Sequence, residues 1–297
     1  MPGRLTVGQM ALNHLIHVRI VAGQQIISMQ YKKHISPKIL IAGAMDTELL
    51  PLFKSLGKAK THKLLNTFPL SKMSYKSLEL FILKTYVGDV NASIAGFEAV
   101  RETNPDYVIK FGAVGGSYPE SKAGDIIVPL GFFHRTSWIT RNKMTQQPSN
   151  NASKWESVFG ELPYQVNSSN LGGIPYYFPV PKHLQKSCEK TLQKLGMKYV
   201  TTYVGGGNMW IFSKEVLNNV GSTMLPPSSK HKRFVSDMES YSLAHTCYLT
   251  QKPFIGCYVV ASNDYLDEEY NPPLVSDQMS HLVPYILDLV SNLTKDS

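Results

Sequence analysis

Cysteine is scarce in this chain, with only Cys188, Cys247 and Cys257 among 297 residues. Their wide spacing fits no zinc motif, and an odd count fits no secreted disulfide framework, so a reducing compartment is the expected home. Long apolar runs are missing too. None reaches the roughly 18 residues a membrane-spanning helix needs, so no membrane association is expected. Phosphate-binding signatures are also lacking. Gly112-Ala113-Val114-Gly115-Gly116 is followed by no Gly-Lys-Ser/Thr and is not Gly-x-Gly-x-x-Gly, which excludes a P-loop and a dinucleotide fingerprint. Finally, residues 1–45 contain Arg4, Arg19, Lys32, Lys33 and Lys38 and no acid. That segment carries most of the net charge of +8 and leaves the body only weakly basic, which argues against nucleic acid as a partner. The second basic cluster, Lys230-His231-Lys232-Arg233, reads as a solvated loop before a strand, with a nucleic-acid or import patch as the alternative.

What is present is an α/β pattern in one domain, 37–297, behind a basic extension, 1–36. The extension reads as an early start or loose tail, with mitochondrial targeting as the alternative to a cytoplasmic protein. Buried strands are expected at 38–43, 76–86, 106–112, 124–129, 199–204 and 253–261. Helices are expected at 47–56, with Asp46 as N-cap, and at 91–102, 180–195, 240–250 and 276–293. The alternation implies a mixed, mainly parallel central sheet with helices on both faces. Residues 139–175 form a polar insertion, long for a loop and read as a flap or partly disordered. The glycine runs at 112–116 and 205–207 read as turns after strands, where backbone approaches a ligand closely.

Three segments place acids just after short β-like runs: Asp46 and Glu48, Asp237 and Glu239, and Asp264. Carboxyl ends of strands converge on one crevice in α/β sheets, so these acids are expected to meet there. Each has a plainer reading. Glu48 could serve a helix dipole and Asp264 a turn. If its strand persists, Asp237 and Glu239 share one face, with Met238 on the other. Trp210, after three glycines, reads as core or as a platform for a planar base.

Seven pieces occur in a fixed order: Gly43-Ala44-Met45-Asp46-Thr47-Glu48, Tyr86-Val87-Gly88-Asp89-Val90-Asn91-Ala92, Val108 to Gly116, Ala123 to Val128, Gly207-Asn208-Met209-Trp210-Ile211, Asp237-Met238-Glu239 and Asn263-Asp264. Together they resemble the purine nucleoside phosphorylase/nucleosidase superfamily, and within it the 5′-methylthioadenosine/S-adenosylhomocysteine nucleosidases. The resemblance implies a homodimer that needs neither metal nor organic cofactor and takes a small purine nucleoside. It implies that Glu48 activates water and Asp264 protonates purine N7. Glu239 would grip the ribose hydroxyls beside Asp237, with Met238 against the sugar. Trp210 and Ile211 would hold the base, with Ala113, Val114 and Gly115 on the ribose and water side and Asn263 able to bond the purine.

The expected activity is therefore hydrolysis of an adenosine-type thionucleoside. The alternatives are a phosphate-dependent phosphorylase and a nucleoside-binding protein with little catalysis. Four departures bear on the site. Ala113 stands where the nucleosidases usually carry a hydroxyl, Val260 where they carry Arg or Lys, Asn263 where they carry Ser or Thr, and His134-Arg135 where a His-Asp pair is common.

Overall fold

The computed structural model describes residues 36–158, 176–226, 229 and 231–293. The expectations for the N-terminal extension and for residues 159–175 lie outside the described residues.

In chain order the elements are β1 (Lys38–Gly43), α1 (Asp46–Leu56), β2 (Lys60–Leu64), β3 (Phe68–Tyr75), β4 (Leu78–Lys84), α2 (Asp89–Thr103), β5 (Tyr107–Gly116), β6 (Ile126–His134), β7 (Trp138–Ile139), β8 (Glu156–Ser157), β9 (Tyr177–Pro179), α3 (Lys182–Lys194), β10 (Tyr199–Gly206), α4 (Lys214–Thr223), β11 (Phe234–Asp237), α5 (Ser240–Leu249), β12 (Phe254–Asn263) and α6 (Pro272–Leu293). The main sheet runs β11-β10-β6-β12-β5-β1-β4-β3-β2, with β9 on β6. Strand β1 lies parallel to both β4 and β5, and β12 is parallel to β5. Strand β11 pairs with β10 and also, antiparallel, with β5. The five strands β5, β12, β6, β10 and β11 thus close into a ring.

The central strands are apolar because both faces are covered. Ile39, Leu40, Ile41 and Ala42 of β1 have no exposed surface. Two groups of helices pack on the sheet, α1 and α3 against α6, and α2 against α5. No helix among the described residues is long and apolar enough to cross a membrane.

The glycine runs are strand, not turn. Gly115 and Gly116 pair with Ser236 and Val235 on one side and with Ser262 and Asn263 on the other. A strand squeezed between two neighbours and a cavity has little room for side chains, and a Cβ on Gly116 would sit 2.6 Å from Ser121 Cβ. Gly205 and Gly206 likewise complete β10. Helix α1 starts at Asp46 with Met45 in the N-cap position, so Asp46 is not the cap; it bonds Lys84 at 2.7 Å. The hairpin β2–β3 and helix α4 are additions to the sequence reading. Part of the insertion is ordered: β7 pairs with β8, and Asn219 of α4 holds the segment through Ala152 O at 2.6 Å.

Candidate active site

The carboxyl ends of β1, β5 and β12, together with the end of β11, surround one cleft of about 680 Å³, partly open to solvent. Its walls include Glu48 from the β1–α1 junction, Ala113, Val114 and Gly115 from β5, Asp237, Met238 and Glu239 from the β11–α5 junction, and Asp264 beyond β12.

Glu48 is 2% exposed. One carboxylate oxygen accepts from the backbone N–H of Ala44 at 2.6 Å and of Met45 at 3.1 Å, and the other from Ala113 N–H at 3.0 Å. Glu48 therefore closes the first turn of α1 and faces the cleft as well. The departure at Ala113 removes a hydroxyl, but its amide still holds Glu48.

Beneath Glu48 lies Lys110 of β5, with no exposed surface. Its ammonium stands 3.5 Å from Glu48 Oε2 and 3.8 Å from Glu239 Oε2. Glu239 also accepts from Gly88 N–H at 2.9 Å. Burial pushes the Glu239 carboxyl up to about 8, against the pull of Lys110 and with the push of Asp237 and Glu48. Asp237 is raised by burial too, although Lys110 and the Ser240 hydroxyl and amide lower it. Lys110 stays a cation: burial opposes its charge, but Glu48, Glu239 and Asp237 together hold its pKa above the ordinary value.

Across the cleft, Asp264 is 1% exposed and accepts from Trp210 Nε1 at 3.1 Å and from the hydroxyls of Ser236 and Ser262 at 3.4 Å. These donors and Arg135 favour the carboxylate, yet burial outweighs them and raises its pKa. Arg135 is buried and donates to the carbonyls of Gly205, Gly207, Met209 and Asp237, fastening the loop that carries Trp210. Burial lowers its pKa to about 10. Trp210 is 51% exposed at the cleft and stacks on Phe212. It is not core.

Nine of the expected site residues thus line the cleft, and two do not. Ile211 is buried in a separate apolar cluster with Tyr203, Leu217 and Phe234. Asn263 has no exposed surface; its amide donates to Tyr118 O at 3.1 Å and Ser121 O at 2.8 Å while its oxygen caps the turn at Asp264, so it has nothing left for a ligand. The strand ends at Asp237, so the condition for face sharing is not met; Glu239 precedes α5, and Met238 lines the cleft with both acids. Val260 sits in the main core and does not reach the cleft. Lys110, Arg135, Ser236 and Ser262 were not singled out as site residues from sequence. A lysine inside the apolar run Val108-Ile109-Lys110-Phe111 was the available signal.

The raised Glu239 pKa has a consequence for stability. The folded chain holds a proton on this group between its ordinary value of 4.5 and about 8, so its contribution is full below 4.5 and is lost as pH rises through about 8. Glu239→Gln removes that titration. Relative to wild type, the variant's melting temperature is expected to rise between about pH 5 and about pH 9 in a fluorimetric melt, whereas a pH-independent difference would refute the assignment.

Comparison with known proteins agrees with this fold. The family model described as Phosphorylase superfamily matches residues 38–291. The 5′-methylthioadenosine/S-adenosylhomocysteine nucleosidase of Buchnera aphidicola subsp. Acyrthosiphon pisum (strain Tuc7) is 26% identical over 255 residues, covering 84% of this chain and 97% of the relative. The Bacillus subtilis (strain 168) protein of that name is 21% identical over 219 residues, covering 73% and 82%. Among solved structures, the Neisseria meningitidis nucleosidase in complex with methylthio-immucillin-A superposes with a TM-score of 0.66 at 18% identity, covering 84% of this chain and 99% of the other. Futalosine hydrolase of Helicobacter pylori strain 26695 gives 0.67 at 16% identity, covering 89% and 100%. These structures share the fold, and the chain belongs to the phosphorylase superfamily.

Proposed function

We propose that this chain hydrolyses the N-glycosidic bond of 5′-methylthioadenosine/S-adenosylhomocysteine-type purine nucleosides and releases adenine. The observation that carries the reading is the pairing of two buried acids of opposite design in one cleft. Glu48 is fixed by three backbone N–H donors and a nearby ammonium, which favour a carboxylate. Asp264 is an acid whose pKa burial raises. A carboxyl held by amide donors suits the proton acceptor, and a desolvated carboxyl suits the proton donor. The names of the relatives support the substrate class.

In this mechanism the C1′–N9 electron pair leaves with the base as Asp264 gives its proton to N7. Positive charge develops on the sugar, next to Glu48 and Glu239. Water adds to C1′ and passes a proton to Glu48. Glu239 accepts from the ribose hydroxyls, Met238 packs on the sugar, and Trp210 meets the base. Hydrolysis is favoured over phosphorolysis because a phosphate dianion at the Glu48 end would face the Glu48 carboxylate, while the cation there, Lys110, already stands 3.5 Å from it.

Purified protein is expected to release adenine from methylthioadenosine in phosphate-free buffer. A strict need for phosphate, or binding without turnover, would overturn the reading. Asp264→Asn and Glu48→Gln are each expected to lower kcat/KM by about 10²–10⁴-fold. Gly115→Ala tests the geometry separately. Its Cβ would fall on the Asp264 carboxylate, so about a 10²-fold loss is expected from a chain whose circular dichroism is unchanged.

The assembly we infer is a homodimer in a reducing compartment such as the cytoplasm. The three cysteines are free and buried. Helix α2 and the turn before it leave Val87, Val90, Ile94 and Phe97 exposed, at helical spacing. Val87 also lines the cleft, so this stripe reaches the site. Light scattering after gel filtration is expected to give twice the chain mass for the wild type and the chain mass for Phe97→Asp; a monomeric wild type would exclude the dimer.

A further inference from the structure

Lys110 belongs to the acid cluster, but the mechanism above gives it no step of the reaction. It does not line the cleft, so it acts through its neighbours and not on a substrate. It projects from β5 with no exposed surface, where an ammonium is costly to bury unless paired. The pairs present are ionic: 3.5 Å to Glu48 and 3.8 Å to Glu239. Space for them is reserved by the absence of a side chain at Gly112, where a Cβ would lie 2.5 Å from Lys110 Nζ and 2.6 Å from Glu48 Oε1. The groups facing the ammonium come from every side of the cluster: Glu48 from α1, Asp237 and Glu239 from the β11–α5 junction, and the Tyr270 hydroxyl ahead of α6. Tyr258 of β12 reaches Asp237 through the Ser240 hydroxyl, at 2.6 Å from it. Three carboxyls share one cation, and Glu239 takes up a proton first; removing the cation would take away the one opposite charge that faces Glu48, at 3.5 Å.

We propose that Lys110 is a positioning residue for the base: its ammonium, seated behind Gly112, keeps Glu48 ionised and aimed at the cleft while tying Glu239 to the same point. The proposal rests on the nucleosidase reading. It adds that the acidic side of the pH profile is set from beneath the cleft by a residue no substrate touches.

The test is kcat/KM against pH for wild type, Lys110→Met and Lys110→Arg with methylthioadenosine. An opposite charge at this range moves a carboxyl by about 1–3 units, so the acidic limb of Lys110→Met is expected about 1–3 pH units higher, with Lys110→Arg near wild type. A Lys110→Met limb at the wild-type position overturns the proposal, because a purely structural lysine would change stability and leave the limb in place. Should wild type fail to cleave the nucleoside, the nucleosidase reading falls, and the Glu48 ¹³Cδ resonance decides the role of Lys110. Ionised in wild type and protonated in Lys110→Met at neutral pH sustains it; ionised in both overturns it. Should Lys110→Met not fold, the wild-type ¹⁵Nζ signal decides: a buried ammonium across about pH 6–9 sustains the proposal, and a neutral amine overturns it.

Discussion

Charge buried without enough countercharge governs this molecule. Glu48, Asp237 and Glu239 share the interior with one ammonium, Lys110. Withdrawing each ion from water costs several kcal/mol. A single attraction at about 4 Å returns only about 4 kcal/mol at the effective dielectric of such sites. One lysine therefore cannot hold three carboxylates ionised. The remainder is met by backbone N–H groups, four of them aimed at Glu48 and Glu239, and by protons. Glu239 titrating near 8 and Asp237 raised beside it are where that shortage appears. Glu48 has the larger share of amides, which suits the proton acceptor we propose it to be.

The sheet makes this crowding possible. Strand β5 stands between β1 and β12, and its last residues pair with β11 as well. A strand paired with three others along its length delivers acids from distant parts of the chain to one place, provided its own side chains stay out of the way. Gly112, Gly115 and Gly116 meet that condition. A methyl at Gly112 would collide with Lys110 and Glu48, and one at Gly115 with Asp264. The glycine run is thus a set of three spaces occupied by other residues' functional groups, and a turn would have served none of them.

Much of this was legible in the sequence because it is local. The apolar run 38–43, the acids after it and the alternation of strands with helices follow from periodicity and breakers. The convergence of Glu48, Glu239 and Asp264 followed from the rule about strand ends. What was not legible depends on three-dimensional neighbours. Asn263 reads as a ligand group until the carbonyls of Tyr118 and Ser121 are seen to consume its amide. Asp46 and Glu48 are two residues apart, yet one pairs with Lys84 on the surface and the other is buried. The glycine runs read as turns because strand propensity is weak for glycine, and tertiary pairing overrode it.

Asp264 illustrates how the same physics separates the two ends of the cleft. Its carboxyl receives an indole N–H, two serine hydroxyls and the field of Arg135, all of which stabilise the anion. Burial still wins, because the hydroxyl contacts are long and Arg135 gives its own hydrogen bonds to carbonyls instead of to the carboxylate. A purine settling against the half-exposed Trp210 would exclude more water from Asp264. The charged form would lose further ground, and the proton would be held until N7 offers a lone pair. The backbone N–H groups of Ala44, Met45 and Ala113 continue to hold Glu48 when the cleft fills, so a bound purine would act on Asp264 and leave the hydrogen bonds at the other end of the cleft in place.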